Sequence, residues 1–325
     1  MPGKKSPDDT ALRRIRVGVS SCLLGEAVRY DGGHKHNRYI TQILGKFFDF
    51  IPICPEVAIG LGAPRPSIRL VGDPHAPRAV GAKTPDLDVT EELDAYASSM
   101  VETCRDLSGY LLKRSSPSCG MERVKVFRDG GMPSKTGTGI YAKRLMAELP
   151  LMPVEEEGRL TDPVLRENFV SRVFVYRRWQ DLEAAGVTPA ALVRFHTHHK
   201  MLIRSHGEIG YQRLGRLVAS AGAEDIYELA EEYIDLLMST LRRPATRKKH
   251  SNVLSHLAGY LKRDIDAGDR AELVRRIEEY RLGRVPLVVP ITMLRHHFRR
   301  CPDPYVGHQV YLDPHPEELQ LRNFI

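Results

Sequence analysis

Three cysteines stand where chemistry can be done. Cys22 lies in "SSCLLGEAVRYDGG", Cys54 in "PICPEVAIGLGAPRP" and Cys119 in "KRSSPSCG", each in a glycine- or proline-bearing stretch that follows a short apolar run. Five cysteines in a chain of 325 residues do not make a disulfide framework. The choices are buried apolar thiols, catalytic thiols or metal ligands. Soft thiolates suit zinc, copper(I) or an iron–sulfur cluster. A structural zinc site wants a close C-x₂₋₄-C pair, and here the cysteines are 32 and 65 residues apart. A cubane on three cysteines would leave one iron without a protein ligand, an arrangement suited to Lewis-acid catalysis more than to electron transfer. Cys104, mid-helix among apolar neighbours, and Cys301, in "RRCPDP", have no such pattern and read as packing residues. With no C-x-x-C pair, thiol oxidoreductase chemistry is disfavoured.

The elements that must position these thiols are legible in outline. "IRVGVS" (Ile15–Ser20), "DFIPICP" (Asp49–Pro55) and "GYLLK" (Gly109–Lys113) read as strands. "RYITQILGKFF" (Arg38–Phe48), "EELDAYASSMVETCRDL" (Glu91–Leu107) and "GIYAKRLMAEL" (Gly139–Leu149) have helical periodicity. That alternation predicts an α/β domain with a mostly parallel sheet, in which ligands bind outside the carboxyl ends of the strands. All three thiols then arrive on one edge. "EEEGRLTDPVLRENF" (Glu155–Phe169) reads as a charged connector, and beyond it helical patterns dominate. The expectation is a short disordered lead-in (1–13), an α/β domain (14–160) and an all-α domain (161–325).

The composition is that of a soluble globular protein, 42% hydrophobic and 27% charged. No apolar run approaches a membrane span and the first residues lack a signal-peptide core, so a cytoplasmic protein is expected. The net charge of +7 favours an anionic partner. In the second half the cations cluster. Arg242, Arg243, Arg247, Lys248 and Lys249 fall within "RRPATRKKH", followed by Lys262 and Arg263; Arg295, Arg299 and Arg300 flank Phe298 in "RHHFRR". Clustered cations grip phosphates, and a ring among them can stack on unpaired bases. The alternative is a solvated face. In "FHTHHK", His196 and His199 are placed to share a helix face, but no acidic or cysteine partner stands near, so packing or phosphate contact is favoured over zinc. Thr136–Gly139, before a helix, and Arg29, Asp31 and Lys35, near the first cysteine, are candidate phosphate or base contacts whose plain readings are a helix start and a turn.

The quoted cysteine stretches, with "DVT" (Asp88–Thr90), resemble the motif series of the thiouracil desulfidases. "FHTHHK", "RRPATRKKHSNVLSHLAGYLKR" and the stretch from "VPLVVPITMLRHHFRRCPDP" onward resemble the YbgA-type domain. The resemblance implies a [4Fe-4S] cluster on Cys22, Cys54 and Cys119 with its fourth iron open to substrate sulfur. It also implies a catalytic carboxylate, Glu56, and a catalytic hydroxyl, Ser116, with Ser118 as the rival hydroxyl. For the two-domain arrangement it implies 4-thiouridine in transfer RNA as the substrate; the expected reaction is a hydrolytic desulfuration with no net electron transfer, with the cation-rich second half presenting the RNA and no obligate protein partner evident. The alternatives are a desulfidase of free thiouracil or its nucleosides, and a non-catalytic iron–sulfur sensor that binds nucleic acid.

Overall fold

The computed structural model describes residues 14–84, 86–128 and 132–325; the expected lead-in (1–13) lies outside them. Two compact units divide at Leu160 and Thr161. In chain order the first holds β1 (Ile15–Ser20), β2 (Phe48–Ile53), the four-residue α1 (Pro55–Ala58), β3 (Ile68–Asp73), β4 (Ala76–Gly81), α2 (Thr90–Arg105), β5 (Tyr110–Leu112), β6 (Val124–Phe127), β7 (Ser134–Gly137), α3 (Ile140–Glu148) and β8 (Val154–Glu156).

The mostly parallel sheet is there: β2-β1-β5-β8, every pair parallel. Val17 and Val19 of β1 and all of Tyr110–Leu112 are fully buried, as expected of central strands covered on both faces. The chain runs outward from β1 to β2, then returns past β1 to β5 and β8. The order therefore reverses between β1 and β5, and that reversal opens the crevice where α/β sheets bind ligands.

A second sheet, β4-β3-β6-β7, was not expected. A β3–β4 hairpin joins β6 in parallel and β7 is antiparallel to β6. Its inner face, Ile68, Leu70, Ala79, Val124 and Val126, packs with Val89, Leu93 and Ile140. The strands are four to six residues long, and β4 and β7 place Pro77, Ala79, Gly81 and Gly137 at their inward positions, which leaves little apolar periodicity in the sequence.

Two local expectations change. Residues 38–48 form no regular helix but a π turn (Tyr39–Ile43) and a 3₁₀ turn (Leu44–Lys46). Ile40 and Leu44 are fully buried at helical spacing, yet Phe48 must already pair with Ile15 in the sheet, so the helix has no room to continue. The charged connector begins inside β8, and Glu155 and Glu156 are buried. They are tolerated because each finds a donor: Arg159 Nε reaches Glu155 Oε1 at 2.6 Å, and the Met121 amide reaches Glu156 Oε1 at 2.8 Å.

From Thr161 the chain is helical, as expected: α4 (Pro163–Ala184), α5 (Pro189–His206), α6 (Glu208–Ala219), α7 (Ile226–Leu241), α8 (Arg247–Tyr260), α9 (Ala267–Arg281) and α10 (Val288–Arg300). Five of these starts are set by a side chain that accepts from the first free N–H groups: Asp162, Thr188, Asp225, Thr246 and Asp266. Pro163 and Pro189 occupy the first helical position, where no N–H is missed. Trp179, stacked on Tyr233 at 5.6 Å, anchors the core. No helix of the described residues is long and apolar enough to cross a membrane.

Candidate active site

Cys22 sits in a 3₁₀ turn directly after β1, Cys54 directly after β2 at the start of α1, and Cys119 in the loop that follows β5. All three line one cavity of about 340 Å³. Cys104 and Cys301 are not among its lining residues. The walls are fixed from below, since the Lys113 amide donates to Ser20 Oγ at 3.0 Å and ties the ends of β1 and β5 together.

Burial pushes the Cys22 thiol up to about 11, against the pull of Lys113, and raises Cys54 as well. Cys119 is driven well above the usual thiol range, first by burial and then by Glu56 and Cys54. Such thiols surrender protons only to a strong competitor for sulfur, which a metal is. Among the described residues no three His, Cys, Asp or Glu side chains converge tightly enough for one metal ion. Three soft thiols lining a common cavity are a donor set whose chemistry fits an iron–sulfur cluster.

Glu56 enters the cavity from the first turn of α1. Arg65 Nε and Nη2 donate to its Oε2 at 2.9 and 2.6 Å, and Ser118 Oγ donates to its Oε1 at 2.7 Å. Arg65 is itself held through Nη1 by the carbonyls of Val28 and Gly62, at 2.8 and 2.6 Å. Three of the carboxylate's four acceptor sites are thus filled, leaving one on Oε1. Sequence reasoning singled out Glu56 but not Arg65, although Arg65 stands inside the quoted "GAPRP". A lone arginine in a proline turn has no signal of its own.

The two serines part company. Ser118 is fully buried and serves Glu56. Ser116 lines the cavity, and its Oγ accepts from the amides of Ser118 and Cys119 at 3.2 and 3.0 Å. Two N–H groups on the oxygen polarise the hydroxyl and leave its proton to donate. The loop is clamped from the other side by the start of α3: the amides of Gly139, Ile140 and Ala142 donate to the carbonyls of Gly120, Pro117 and Ser118 at 2.8, 3.0 and 3.1 Å. A Cβ on Gly139 would lie 2.5 Å from the Ser118 carbonyl carbon. The helix start considered for a phosphate is therefore spent on the cysteine loop.

At the cavity wall Lys113 donates to Glu157 Oε1 at 2.5 Å, and the half-exposed Tyr30 carries the Arg29 guanidinium 5.3 Å from its ring centroid. Arg29 also pairs with Asp31, whose carboxyl is lowered first by the Gly33 amide. Lys35 is not among the lining residues.

In the helical unit, Arg242, Arg243, Arg247, Lys248, Lys262, Arg263, Arg299 and Arg300 are exposed. Two expected RNA-binding residues are otherwise engaged. Arg295 pairs with Asp313 and Glu317, and Lys249 Nζ donates to the His206 carbonyl at the end of α5. His196 and His199 are buried; His196 Nδ1 meets the Tyr233 hydroxyl at 3.1 Å, and His199 Nδ1 donates to the Phe195 carbonyl at 2.7 Å. Burial lowers them to about 4 and about 3, so both are neutral packing residues.

A family model described as 2-thiouracil desulfurase matches residues 17–157, and one described as a protein of unknown function (DUF1722) matches residues 200–316. The uncharacterized protein YbgA of Escherichia coli (strain K12) is 29% identical over 153 residues, 47% of this chain and 90% of that protein. The uncharacterized protein YbbK of Bacillus subtilis (strain 168) is 30% identical over 135 residues, 39% of this chain and 87% of its own. A solved structure, described as the [4Fe-4S]-dependent thiouracil desulfidase TudS, is 31% identical and covers 46% of this chain and 94% of its own, with a TM-score of 0.36.

Proposed function

The chain belongs to the 2-thiouracil desulfurase family through residues 17–157, and from this premise we propose that its first unit removes sulfur from a thiolated uracil by hydrolysis, acting on 4-thiouridine within transfer RNA. The observation that carries this reading is one cavity lined by three cysteines from three strand ends, with a fixed carboxylate among them. Cys22, Cys54 and Cys119 would hold a [4Fe-4S] cluster. Bound there, the cluster supplies an iron without a protein ligand, a soft Lewis acid for the substrate's sulfur.

The remaining chemistry falls to this chain's own side chains. Glu56 takes a proton from water through the acceptor site left on Oε1, and the water oxygen attacks the ring carbon that bears sulfur. Arg65 and Ser118 keep the carboxylate aimed. General-base help of this kind is worth about 10²–10⁴-fold. Ser116, its oxygen already loaded with two amide donors, gives its hydroxyl proton to a ring heteroatom as charge builds there. The C–S bond breaks, oxygen replaces sulfur on the ring, and sulfide departs; no net electron is exchanged. The exposed cations of the helical unit supply phosphate contacts.

The test is anaerobic incubation of cluster-reconstituted protein with bulk transfer RNA, following the near-ultraviolet absorbance of 4-thiouridine, with apo-protein and Glu56→Ala as controls. Loss of absorbance only with the loaded wild type is expected. Conversion of free 4-thiouracil with no change in the RNA would keep the chemistry and remove RNA as substrate. No conversion of either would leave a cluster-bearing nucleic-acid sensor as the better reading.

A further inference from the structure

The outer face of the second sheet is basic. Along β3, Ile68 and Leu70 turn inward, so Arg69 and Val71 turn outward; along β6, Val124 and Val126 are buried, so Lys125 and Phe127 are outward. Val71 is in register with Phe127, so Arg69 and Lys125, each two residues earlier, lie on the same face. Lys135 of β7 pairs directly with Lys125, and exposed Arg128 follows Phe127. On this face Arg78 is already answered by Asp88, at 2.6 Å. Among the described residues, Arg69, Lys125, Lys135 and Arg128 have no acidic side chain within ion-pair distance, and the acid nearest in sequence on β3 is Asp73 at the strand's end.

Two features set this face apart from an ordinary solvated surface. Like charges directly opposed across antiparallel strands destabilise the pairing, a cost that a polyanion lying over Lys125 and Lys135 removes. Arg69 is also held in place. Its guanidinium lies 5.2 Å from the centroid of the Phe127 ring, and its buried Nε has no hydrogen-bond partner. Arg69, Val71, Phe127 and Arg128 line a shallow groove along the strands, with the Asp73 carboxylate at its far end as the one acid among the lining side chains. An ordered guanidinium, a half-buried ring and free lysines on a sheet surface are the parts with which sheets hold unpaired nucleic acid. β3 starts at the cavity wall, where Ser67 and Ile68 line it, and the strand that carries Arg69 runs on from there for about 17 Å.

We propose that the outer face of the second sheet, through Arg69, Lys125, Lys135 and Arg128, grips the phosphate backbone of the RNA whose thiolated base enters the cavity. The proposal rests on the RNA reading above and moves part of the polynucleotide binding into the catalytic unit. The experiment is fluorescence anisotropy of a fluorescein-labelled transfer RNA transcript over a series of KCl concentrations. It compares wild type with the combined Lys125→Ser, Arg128→Ser, Lys135→Ser variant, and follows turnover of free 4-thiouracil by both in parallel. Each phosphate that is no longer neutralised lowers the salt slope by about 0.7–0.9. The triple variant should therefore bind about 10–100-fold more weakly at about 0.1 M salt, with a slope smaller by about 2–3 and unchanged turnover of the free base. Wild-type binding with an indistinguishable variant overturns the proposal and leaves RNA as substrate. Absence of salt-dependent binding by the wild type overturns the RNA reading and this proposal with it. Equal loss of free-base turnover would show that the face serves the fold, and would overturn the proposal too.

Discussion

Glu56 and Glu167 are both carboxylates held by an arginine, and the difference between them separates a reagent from a strut. Glu56 has Arg65 and Ser118 on one side and the cysteine cavity on the other. Glu167, in α4, is enclosed: Ser171 Oγ donates to Oε1 at 3.1 Å, Arg322 Nε lies at 3.6 Å, His315 Nε2 at 3.8 Å, and the residue is 6% exposed. Burial alone would raise the Glu167 carboxyl, but His315 and Arg322 outweigh it and hold it far below the ordinary range. The lesson is that burial and a salt partner do not by themselves mark a catalytic acid. What distinguishes Glu56 is an acceptor site left facing an open cavity.

The comparison can be broken most decisively at the thiols. Replacing Cys22, Cys54 or Cys119 by Ser should abolish both the visible absorption of the reconstituted cluster and desulfuration, while Cys104→Ser and Cys301→Ser should retain both. If Cys54→Ser loads and turns over normally, the cavity is not the site.

Next comes Glu56→Gln, which keeps the size and one acceptor oxygen but removes the base and, with its oxygen on Ser118, gives up the two bonds from Arg65. Turnover should fall about 10²–10⁴-fold with cluster content unchanged. Retained turnover would give Glu56 the same structural standing as Glu167.

Glu167→Gln should do the reverse. It leaves Arg322 buried without its counter-charge, which costs about 3–5 kcal/mol and should lower the melting temperature with no direct effect on the chemistry. The pH dependence has a definite sign. A carboxyl whose folded pKa lies below its unfolded value contributes stability that is present above the unfolded value, near 4.5, and is lost as pH falls further. Wild-type melting temperatures should therefore drop below about pH 4.5, and part of that drop should be missing in Glu167→Gln.

The smallest effect belongs to the exposed cations of the helical unit. Arg247→Ser with Lys248→Ser should weaken RNA binding several-fold and lower the salt slope by about 1–2, whereas Arg295→Ser, already neutralised by Asp313 and Glu317, should act mainly through stability.

Much of this arrangement was legible in the sequence, and for identifiable reasons. Strand-then-loop texture around Cys22, Cys54 and Cys119 is local, and parallel strands deliver their carboxyl ends to one edge, so the convergence followed from short-range pattern and one rule of topology. The helical second unit was legible from periodicity, while the caps that set its helix starts, such as Asp162 and Thr246, emerged only with the structure. The second sheet was not legible, because its strands are only four to six residues long and β4 and β7 fill their inward positions with Pro77, Ala79, Gly81 and Gly137, which leaves too little apolar periodicity to mark a strand. Nor did local sequence carry the division of labour between Ser116 and Ser118, the engagement of Arg65 with Glu56, or the burial of Glu155 and Glu156 inside what read as a solvated connector. Those depend on which backbone and side-chain groups meet across 9, 62 and 35 residues of chain. Spacing along the chain determined which residues can do chemistry. Only the folded structure decided which lone pairs, protons and charges are left over to do it, since hydrogen bonding is settled by neighbours in space.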